Sequence, residues 1–543
     1  MSSFFQQPPQ LKNQYHADSL LKQYLQWKLP NEIYNDIAKD LHRFGDTVIR
    51  NILPLGEEAE DNPPQHTPYD SWGRRIDKIN VCNAWQQLKT ISATEGLIAI
   101  GYERKQQHYS RLYQFAKLYL FHPSSAFFTC PLAMTDGAAR VIEIHGNKKQ
   151  QQTFEKLTSR DPANFWTSGQ WMTERRGGSD VSQTATNAIW EKEDRYKLRG
   201  TKWFTSATTS EMALTLARID NEKGSKGLSL FMLVLRDNNQ QLQNIEVHRL
   251  KDKLGTKALP TAELTLHDTP ATIIAGVGNG VRKIASMLNI TRLYNSITAL
   301  GHMRRCLSLA IDYAQKRKAF GKLLIEHPLH YRTLCELKIE FEGCFHLIFF
   351  LIELLGKSET NIATPEEEKL LRTLTPIAKL YSAKKAIAIS SETLELFGGA
   401  GYIEDTKLPK FLRDAQVYSI WEGTTNILSL DVLRAIQKEQ SFPVWCKWVN
   451  EQLNNLQSCQ DCIETVKTST QKLSSFIHNK ERDLLEVEAR QLAYSIARIT
   501  ATTLIIEFAQ KHPESKIIAK KYCQNLLSIE QFSAQDLEKI QLL

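Results

Sequence analysis

The pattern of apolar and polar positions changes twice along the chain. Residues 1 to about 165 read mainly as helices joined by polar, proline-containing loops such as GEEAEDNPPQHTPYDSWG. From residue 188 to about residue 276, short apolar runs such as LSLFMLVL and AELTLHD alternate with turn sequences such as RDNNQ. The first pattern predicts a helical region, and the second predicts a compact antiparallel β unit.

The helical period returns near residue 280 and is sustained through VRKIASMLNITRLYNSITALGHMRRCLSLAIDYAQKRKAF. Another helix is predicted to begin at TPEEEK, where Thr364 can cap it and Pro365 suits its first turn, and to end at the glycines of ELFGGAGY. We therefore predict an N-terminal helical domain (1–165), an antiparallel β domain (166–278), a C-terminal helical bundle (279–440) and an additional helical tail domain (441–543).

The composition indicates an ordinary soluble globular protein too long for a single core, with 543 residues, 42% of them apolar and 24% charged. The formal net charge is +8, but residues 441–543 contain 12 basic and 12 acidic residues, so the surplus lies in residues 1–440. Such a modest excess suits anionic small ligands better than dedicated nucleic-acid binding, without excluding DNA.

The nine cysteines favour a reducing compartment over a disulfide framework, and the start of the chain does not have the pattern of a signal peptide. We therefore expect a cytoplasmic protein. The one CxxC pair, Cys459 and Cys462, has no second pair beside it, so no metal site is expected. The most apolar stretch, LIFFLIELL, is too short to span a membrane and is predicted to be a buried helix.

Two of four candidate motifs lie where the first helical region meets the β unit. In QWMTERRGGSD (170–180), the amides of a glycine-rich turn and a serine hydroxyl can hold a phosphate or a ring carbonyl, although such turns are commonly plain loops. In GTKWFTS (200–206), strand alternation places Trp203 and Thr205 on one side, where they could meet a planar heterocycle. The alternative for Trp203 is a place in the core.

The other two motifs lie in the C-terminal helices. YAQKRKAFGK (313–322) is predicted to close a long helix with three basic residues, which would complement the helix dipole, and Arg317 also offers a forked guanidinium to a pyrophosphate. LELFGGAGY is followed by SIWEGTTN (419–426), where Glu422 lies between an indole and a glycine in a stretch suited to a tight, partly dry turn. The alternative for Glu422 is an exposed turn glutamate.

Together and in this order, the four motifs resemble the acyl-CoA dehydrogenase family over about residues 70–440. The matching residues are Thr173-Glu174 with Gly178-Ser179-Asp180, Lys202-Trp203-Phe204-Thr205, Arg317-x-x-Phe320-Gly321 and Glu422-Gly423-Thr424. Further stretches, including NPPQHTPYDSWGRRID, RLKDKLG and LDVLR, are similar to the AidB-like branch of the family, which is associated with the response to DNA alkylation. The implied fold is mainly α with a central antiparallel β domain, a C-terminal four-helix bundle and an extra C-terminal helical domain.

The resemblance implies FAD as the cofactor, lying between the β domain and the C-terminal helices, often across a subunit boundary of a homotetramer. The implied cofactor contacts are Met172 and Thr173 at the flavin edge, Ser179 near the phosphates, Trp203 and Thr205 at the ring face, Arg317 and Phe320 at the pyrophosphate and adenine half, and Gly398, Gly399, Thr424 and Asn426 completing the site. Arg292 is the implied substrate contact.

The resemblance implies that Glu422 is the catalytic base. The base would remove a proton α to a thioester carbonyl, while a hydride would leave the β carbon for flavin N5. Because that proton is weakly acidic, the carboxylate needs a raised pKa from a dry pocket, which Trp421 and the glycine-rich surroundings could supply. The implied substrate is a branched or long acyl-CoA. Electrons would pass to a carrier flavoprotein or, in an oxidase, to oxygen.

Several residues depart from the family pattern. Arg175 and Arg176 add positive charge near the presumed flavin, and Glu395 stands where many members have a cofactor-bonding glutamine. Asn289 replaces an acid that many relatives direct at the acyl-CoA, which puts CoA binding in question. These departures affect substrate identity more than cofactor binding.

A second hypothesis is a DNA-associated flavoprotein of the alkylation response with weak or vestigial dehydrogenase activity. Its tail would contact the phosphate backbone through a local stripe of lysines at positions 511, 516, 520 and 521. The alternative for that stripe is an ordinary solvated helix face, which the neutral balance of the tail favours.

Overall fold

The computed structural model describes residues 6–219, 224–479, 482–524 and 526, and it shows helices surrounding a central β unit. The fold class predicted from the sequence is thus confirmed. A continuous hydrophobic core extends from Tyr15 to Cys523 and includes helices of the N-terminal region, the bundle and the tail. This core includes residues on both sides of the predicted boundaries at residues 165, 278 and 440, and the boundaries themselves stay predictions.

The N-terminal region is mainly helical, but the stretch predicted as a loop over residues 56–73 contains the end of a helix and the first strand of a β-hairpin. The hairpin forms because it docks on the β unit: Arg75 donates to the Val247 carbonyl at 2.7 Å, and the Val247 amide donates to Asp77 at 3.0 Å. The elements of this region are α1 Ser19–Lys28, α2 Asn31–Thr47, α3 Leu53–Asp61, β1 Gln65–Tyr69, β2 Arg75–Asn80, α4 Asn83–Thr94, α5 Ala99–Glu103, α6 Ser110–Phe121, α7 Thr129–His145 and α8 Lys148–Leu157.

The central β unit is a seven-stranded sheet whose pairing closes on itself, from β6 through β7, β9, β5 and β4 back to β6. Its strands are β3 Ser168–Gln170, β4 Asn187–Lys192, β5 Arg195–Ser206, β6 Met212–Arg218, β7 Leu228–Val234, β8 Ile245–Leu250 and β9 Thr261–Ile274. The pairing is antiparallel except that β3 runs parallel to β6, with one further parallel pair between β4 and β6. The sequence predicts an antiparallel unit, and these two parallel pairings are its exceptions; β3 reaches the sheet directly from the N-terminal helices.

A bulge in β5 changes which residues share a face. Lys202 pairs with Leu264 and Thr205 with Ala262, so β5 has one more residue than β9 between these pairs. Lys202 and Thr205 are consequently both buried, whereas Trp203 is half-buried. The alternation argument that placed Trp203 and Thr205 on one side was wrong for this reason.

The C-terminal bundle is built on two long, parallel helices. Helix α10 begins at Ala285 and α12 at Pro365, where Thr364 and Glu367 form the capping box that the sequence predicts. Helix α10 ends at Ala314, so the basic run at 316–318 lies beyond it and does not form its last turn. The elements are α9 Gly280–Lys283, α10 Ala285–Ala314, β10 Lys318–Ala319, β11 Lys322–Leu323, α11 Pro328–Glu359, α12 Pro365–Leu396, α13 Pro409–Tyr418 and α14 Thr425–Glu439.

The tail packs against the bundle and does not form a separate core. Its helices are α15 Ser441–Asn454, α16 Gln460–Asn479, α17 Arg482–Val487, α18 Ala489–Lys511 and α19 Lys516–Cys523, and α18 contacts α11, α12 and α14. Trp445 is buried, and its Nε1 donates to Thr500 at 2.9 Å. Tail residues 525 and 527–543 lie outside the described residues.

Within the described ranges, one helix, α18, is long and apolar enough to cross a membrane, and 78% of its apolar window is buried inside the fold. Such burial is typical of a core helix. The apolar run LIFFLIELL lies within α11, where most of its residues are buried. Lysines 511, 516, 520 and 521 are exposed, at the end of α18 and along α19. DNA contact through this stripe stays a prediction.

Candidate active site

Glu422 lies in a strained turn between α13 and α14. Its φ of 57° and that of Gly423, 105°, place two successive residues in the left-handed region, which a non-glycine residue rarely adopts. A Cβ atom at Gly423 would come within 2.9 Å of Leu428, so glycine is required there. Backbone strain of this kind persists where surrounding contacts hold it, and it concentrates at functional sites.

The carboxylate of Glu422 points into the protein and not into bulk solvent. The Thr291 hydroxyl on α10 donates to Glu422 Oε2 at 2.6 Å, and the Gln170 side chain at the end of β3 lies close enough to favour the charged form of the carboxylate. Burial raises the pKa of Glu422, while Thr291, Arg292, Lys379 and Gln170 favour the charged form and oppose that rise. A carboxylate with a raised pKa that remains hydrogen-bonded has the properties of a general base.

Two cations flank this carboxylate from different helices. Lys379 on α12 is buried and donates to the Gly423 carbonyl at 2.6 Å. Arg292 on α10 pairs with Asp431 on α14 at 2.9 Å, and Arg372 on α12 pairs with the same aspartate at 2.7 Å. Asp431 therefore holds Arg292 beside the turn and neutralises part of its charge.

Replacing Thr291 with valine is expected to move the acid limb of kcat/KM upward by about one pH unit, because a hydrogen bond to a charged group is worth about 1.5–3 kcal/mol. The change removes a donor that lowers the pKa of Glu422, so more of the base is protonated at a given pH. A pH profile of turnover measures the shift. Thr298→Val is the matched control, since the Thr298 hydroxyl on the same helix donates to a backbone carbonyl at 2.8 Å. An unchanged profile in Thr291→Val would contradict the prediction.

The structure brings the first two sequence motifs together beside Glu422. The Trp203 amide donates to the Thr173 carbonyl at 3.0 Å, and Met172 packs in the cluster between the β unit and the helices. Gln170, two residues before Met172, reaches Glu422 itself. Thr205 is buried, with its hydroxyl donating to the Ala262 carbonyl at 2.8 Å.

The glycine-rich loop after Met172 is open toward solvent. Ser179 and Gly178 are exposed, and a Cβ atom at Gly178 would lie 3.0 Å from the Thr173 hydroxyl oxygen. Because residue 178 is glycine, it places no side chain over Thr173. Two cations contact the indole of Trp203: the Lys251 ammonium is 3.9 Å from the ring centroid and the Arg175 guanidinium carbon is 5.0 Å away. This side of the β unit is therefore positively charged, aromatic and accessible.

Four predicted cofactor residues form a second group at the far end of the bundle. Arg317 and Phe320 lie in and beside the β10–β11 hairpin, and Gly398 and Gly399 follow the end of α12. The rings of Tyr313 and Phe397, 4.5 Å apart, join the two segments. From Thr291 to the end of α10 the helix extends about 35 Å, so this group is remote from Glu422 within one chain.

The remaining predicted residues lie near the Glu422 turn or on the surface. Thr424 precedes α14 and Asn426 lies in its first turn, both exposed, at the positive end of the helix dipole. Among the departures from the family pattern, Glu395 is exposed and Asn289 is half-buried on α10.

Sequence patterns alone did not identify Thr291, Gln170, Lys379 or Asp431 as parts of the site. Thr291 directly precedes Arg292, which is the one signal that could have found it. Lys379 looks like any helical lysine until α12 is packed against the turn. No group of three or more His, Cys, Asp or Glu residues able to hold a metal ion occurs in the part of the chain that the structure describes.

Comparison with known proteins identifies the family. Residues 278–437 match the acyl-CoA dehydrogenase C-terminal domain, 169–269 the middle domain, 6–162 the N-terminal domain of the adaptive response protein AidB, and 440–541 the C-terminal domain of acyl-CoA dehydrogenase 11. Acyl-CoA dehydrogenase family member 11 of Caenorhabditis elegans is 44% identical over 96% of this chain and 88% of its own length. The chain belongs to the acyl-CoA dehydrogenase family.

Two further comparisons place this acyl-CoA dehydrogenase within the family. AidB of Escherichia coli (strain K12) is 32% identical over 71% of the chain and 72% of its own length, which confirms the likeness to the AidB-like branch. The crystal structure of Caenorhabditis elegans ACDH-11 in complex with C11-CoA superimposes with a TM-score of 0.94 at 42% identity, covering 98% of this chain and 94% of that one. The protein is an acyl-CoA dehydrogenase of the ACDH-11 and AidB type, in a family whose enzymes depend on FAD.

Proposed function

We propose that this enzyme uses FAD to catalyse the α,β-dehydrogenation of a branched or long acyl-CoA thioester, with Glu422 as the base. The observation that carries the proposal is the geometry of Glu422. Glu422 is half-buried, its carboxylate accepts from Thr291 at 2.6 Å, and burial raises its pKa, in the motif that resembles the family's base. The C11-CoA bound to the ACDH-11 structure supports a thioester of medium or greater length.

The residues present fit FAD. The half-buried Trp203 and the open Thr173 and Ser179 lie beside Lys251 and Arg175, a combination of aromatic, hydroxyl and cationic groups that suits a planar heterocycle linked to phosphates. Met172 would line the heterocycle, and Thr424 and Asn426 would meet it from the start of α14, whereas the Thr205 hydroxyl is buried and already bonded to the Ala262 carbonyl. When bound, FAD supplies an acceptor for the hydride that leaves the β carbon.

The chain's own residues supply the proton chemistry. The Glu422 carboxylate removes the α proton, and its raised pKa brings its basicity closer to what a weakly acidic C–H requires. The hydrogen bond from Thr291 fixes the direction of the carboxylate. Trp421 packs against Phe127, with ring centroids 6.1 Å apart, and this aromatic wall excludes water from one side of the base. Arg292, held by Asp431, is placed to meet the negatively charged part of the substrate.

The second group of predicted residues supports assembly with another copy of the chain. Arg317, Phe320, Gly398 and Gly399 are remote from Glu422 within one subunit, and the side chain of Phe320 is 96% exposed. If a neighbouring subunit presents this end of its bundle, Arg317 can pair with the pyrophosphate and Phe320 with the adenine half of a cofactor bound mainly by the first subunit. We propose a homotetramer in which the cofactor lies across a subunit boundary.

Anaerobic titration of the purified protein with a panel of acyl-CoA thioesters tests the proposal. We expect at least one branched or long acyl-CoA to bleach the flavin absorbance of the native protein. A colourless protein that takes up no FAD, or a flavoprotein that no thioester bleaches, would contradict it. We further propose a carrier flavoprotein as electron acceptor, and stoichiometric peroxide release in air would instead identify an oxidase.

A further inference from the structure

Lys379 is a buried cation that the proposed chemistry does not use. It lies in the middle of α12, no part of its side chain is accessible, and its ammonium donates to the Gly423 carbonyl at 2.6 Å. Lysine is almost never fully buried unless it is paired, and its hydrogen-bond partner here is a neutral carbonyl. A specific contact with the backbone of the catalytic turn therefore replaces the usual salt bridge.

The Lys379 ammonium contacts the backbone of the left-handed turn. Gly423 follows Glu422 directly, and both residues have positive φ. The hydrogen bonds of α14 begin one residue later, with the Leu428 amide donating to the Thr424 carbonyl at 3.0 Å, so the Gly423 carbonyl lies outside the helix ladder. The bond from Lys379 gives this buried carbonyl a partner and ties the turn to α12, which itself is fixed in the core by its apolar face.

Lys379 also acts on the charge of Glu422. The groups that face this carboxylate are Lys379 on α12, Arg292 on α10 and the Cys130 thiol on α7. Because Arg292 is paired with Asp431, part of its charge is already neutralised. Burial lowers the pKa of Lys379 to about 7, and attraction to Glu422 opposes that change. Near neutral pH, the ionisation states of lysine and glutamate are therefore linked.

We propose that Lys379 is a positioning residue for the catalytic base: it holds the Glu422–Gly423 turn in its left-handed conformation, and its positive charge keeps the Glu422 carboxylate ionised. The inference rests on the proposed role of Glu422 as the base. Lys379 thus has two proposed roles, one as a hydrogen-bond donor and one as a positive charge. Different substitutions of Lys379 remove the two roles.

Three variants of Lys379 test the two roles by turnover of the thioester that bleaches the native enzyme. Lys379→Met loses the donor and the charge, Lys379→Gln retains a donor without charge, and Lys379→Arg retains the charge. We expect Lys379→Met to lower kcat by about 10²-fold with little change in KM, because a misplaced reacting group has an effect of that size. We expect the acid limb of kcat/KM to move up by about one pH unit in Lys379→Met and Lys379→Gln, and to return toward the native position in Lys379→Arg.

Lys385→Met is the matched control for these variants. Lys385 is on the same helix, is half-buried and pairs with Glu340 at 2.7 Å, away from Glu422. We expect its pH profile to be native. A folded Lys379→Gln enzyme whose acid limb coincides with that of the native enzyme would overturn the charge role. If Lys379→Met does not fold, Lys379→Gln and Lys379→Arg still decide the question.

A thermal double-mutant cycle provides a readout that needs no activity. The unfolding midpoints of the native protein, Lys379→Met, Glu422→Gln and the double variant are compared in the full chain. If the two side chains interact, the shift caused by Lys379→Met is smaller in the Glu422→Gln background. Equal shifts in both backgrounds would overturn the charge role. If no thioester reduces the flavin, the proposed function is rejected. The coupling between Lys379 and Glu422 can still be measured from the melting midpoints, so the two failures are distinguishable.

Discussion

Replacing Glu422 with glutamine is expected to lower kcat by about 10²–10⁴-fold, the contribution typical of a positioned acid or base. Glutamine has nearly the same shape and keeps an oxygen that can accept from Thr291, but it cannot take up the α proton at neutral pH. We expect the variant to fold, to retain the cofactor and to bind the thioester without bleaching. Stopped-flow reduction under anaerobic conditions measures the effect, because it follows the chemical step before product release.

Glu404→Gln is the matched control. Glu404 precedes α13 in the same part of the chain, but its side chain is 68% exposed and pairs with Arg413 at the surface. The native rate of reduction is expected in this control. If Glu422→Gln reduced the flavin at a rate within a few-fold of native, Glu422 would not be the base.

Replacing Arg111 with methionine is expected to reduce the free energy of unfolding by about 3–5 kcal/mol, the range for removing one partner of a buried ion pair. Arg111 contacts Asp136 at 2.8 Å and Glu359 at 2.5 Å, and all three side chains are at most 3% exposed. The substitution leaves two buried carboxylates facing one another. A thermal melt should show a fall of roughly 3–4 °C in the unfolding midpoint, because the entropy of unfolding grows with chain length.

This network also bears on the active site. The Tyr294 hydroxyl donates to Asp136 at 2.8 Å, and Tyr294 lies one turn beyond Thr291 on α10. Loss of Arg111 is therefore expected to loosen the part of α10 that contacts Glu422. Arg332→Met is the control, because the Arg332 side chain is 75% exposed and pairs only with Glu336 among the described residues, so its removal should change stability by less than about 0.5 kcal/mol. A native melting midpoint in Arg111→Met would show that the network is not stabilising.

Local signals in the sequence identified the elements that carry the site. The Thr364 cap, the glycines that end α12 and the apolar run in α11 each have one strong local cause, and the structure shows all three. The β1–β2 hairpin and the β5 bulge were missed, because the hairpin is held by contacts with β8 and the bulge by pairing with β9, and both strands lie far away in the sequence.

The side chains around Glu422 could be predicted only in part. Sequence spacing predicted the glutamate itself and its dry setting, since both depend on neighbouring residues. Lys379 is 43 positions away and contacts the turn only after α12 packs against it, so no local pattern reveals it. Asp431 looked like an ordinary helical residue for the same reason, although it links Arg292 to Arg372.

The continuity of the core into the C-terminal helices limits how the protein can be dissected. Helix α18 fills a groove formed by α11, α12 and α14, and Trp445 is enclosed beside it. In a fragment ending after α14, that groove and its aliphatic side chains would be exposed to water. The excised helices would likewise expose the face that packs into the groove. Helices α15 to α19 thus share one hydrophobic core with the bundle that carries Lys379.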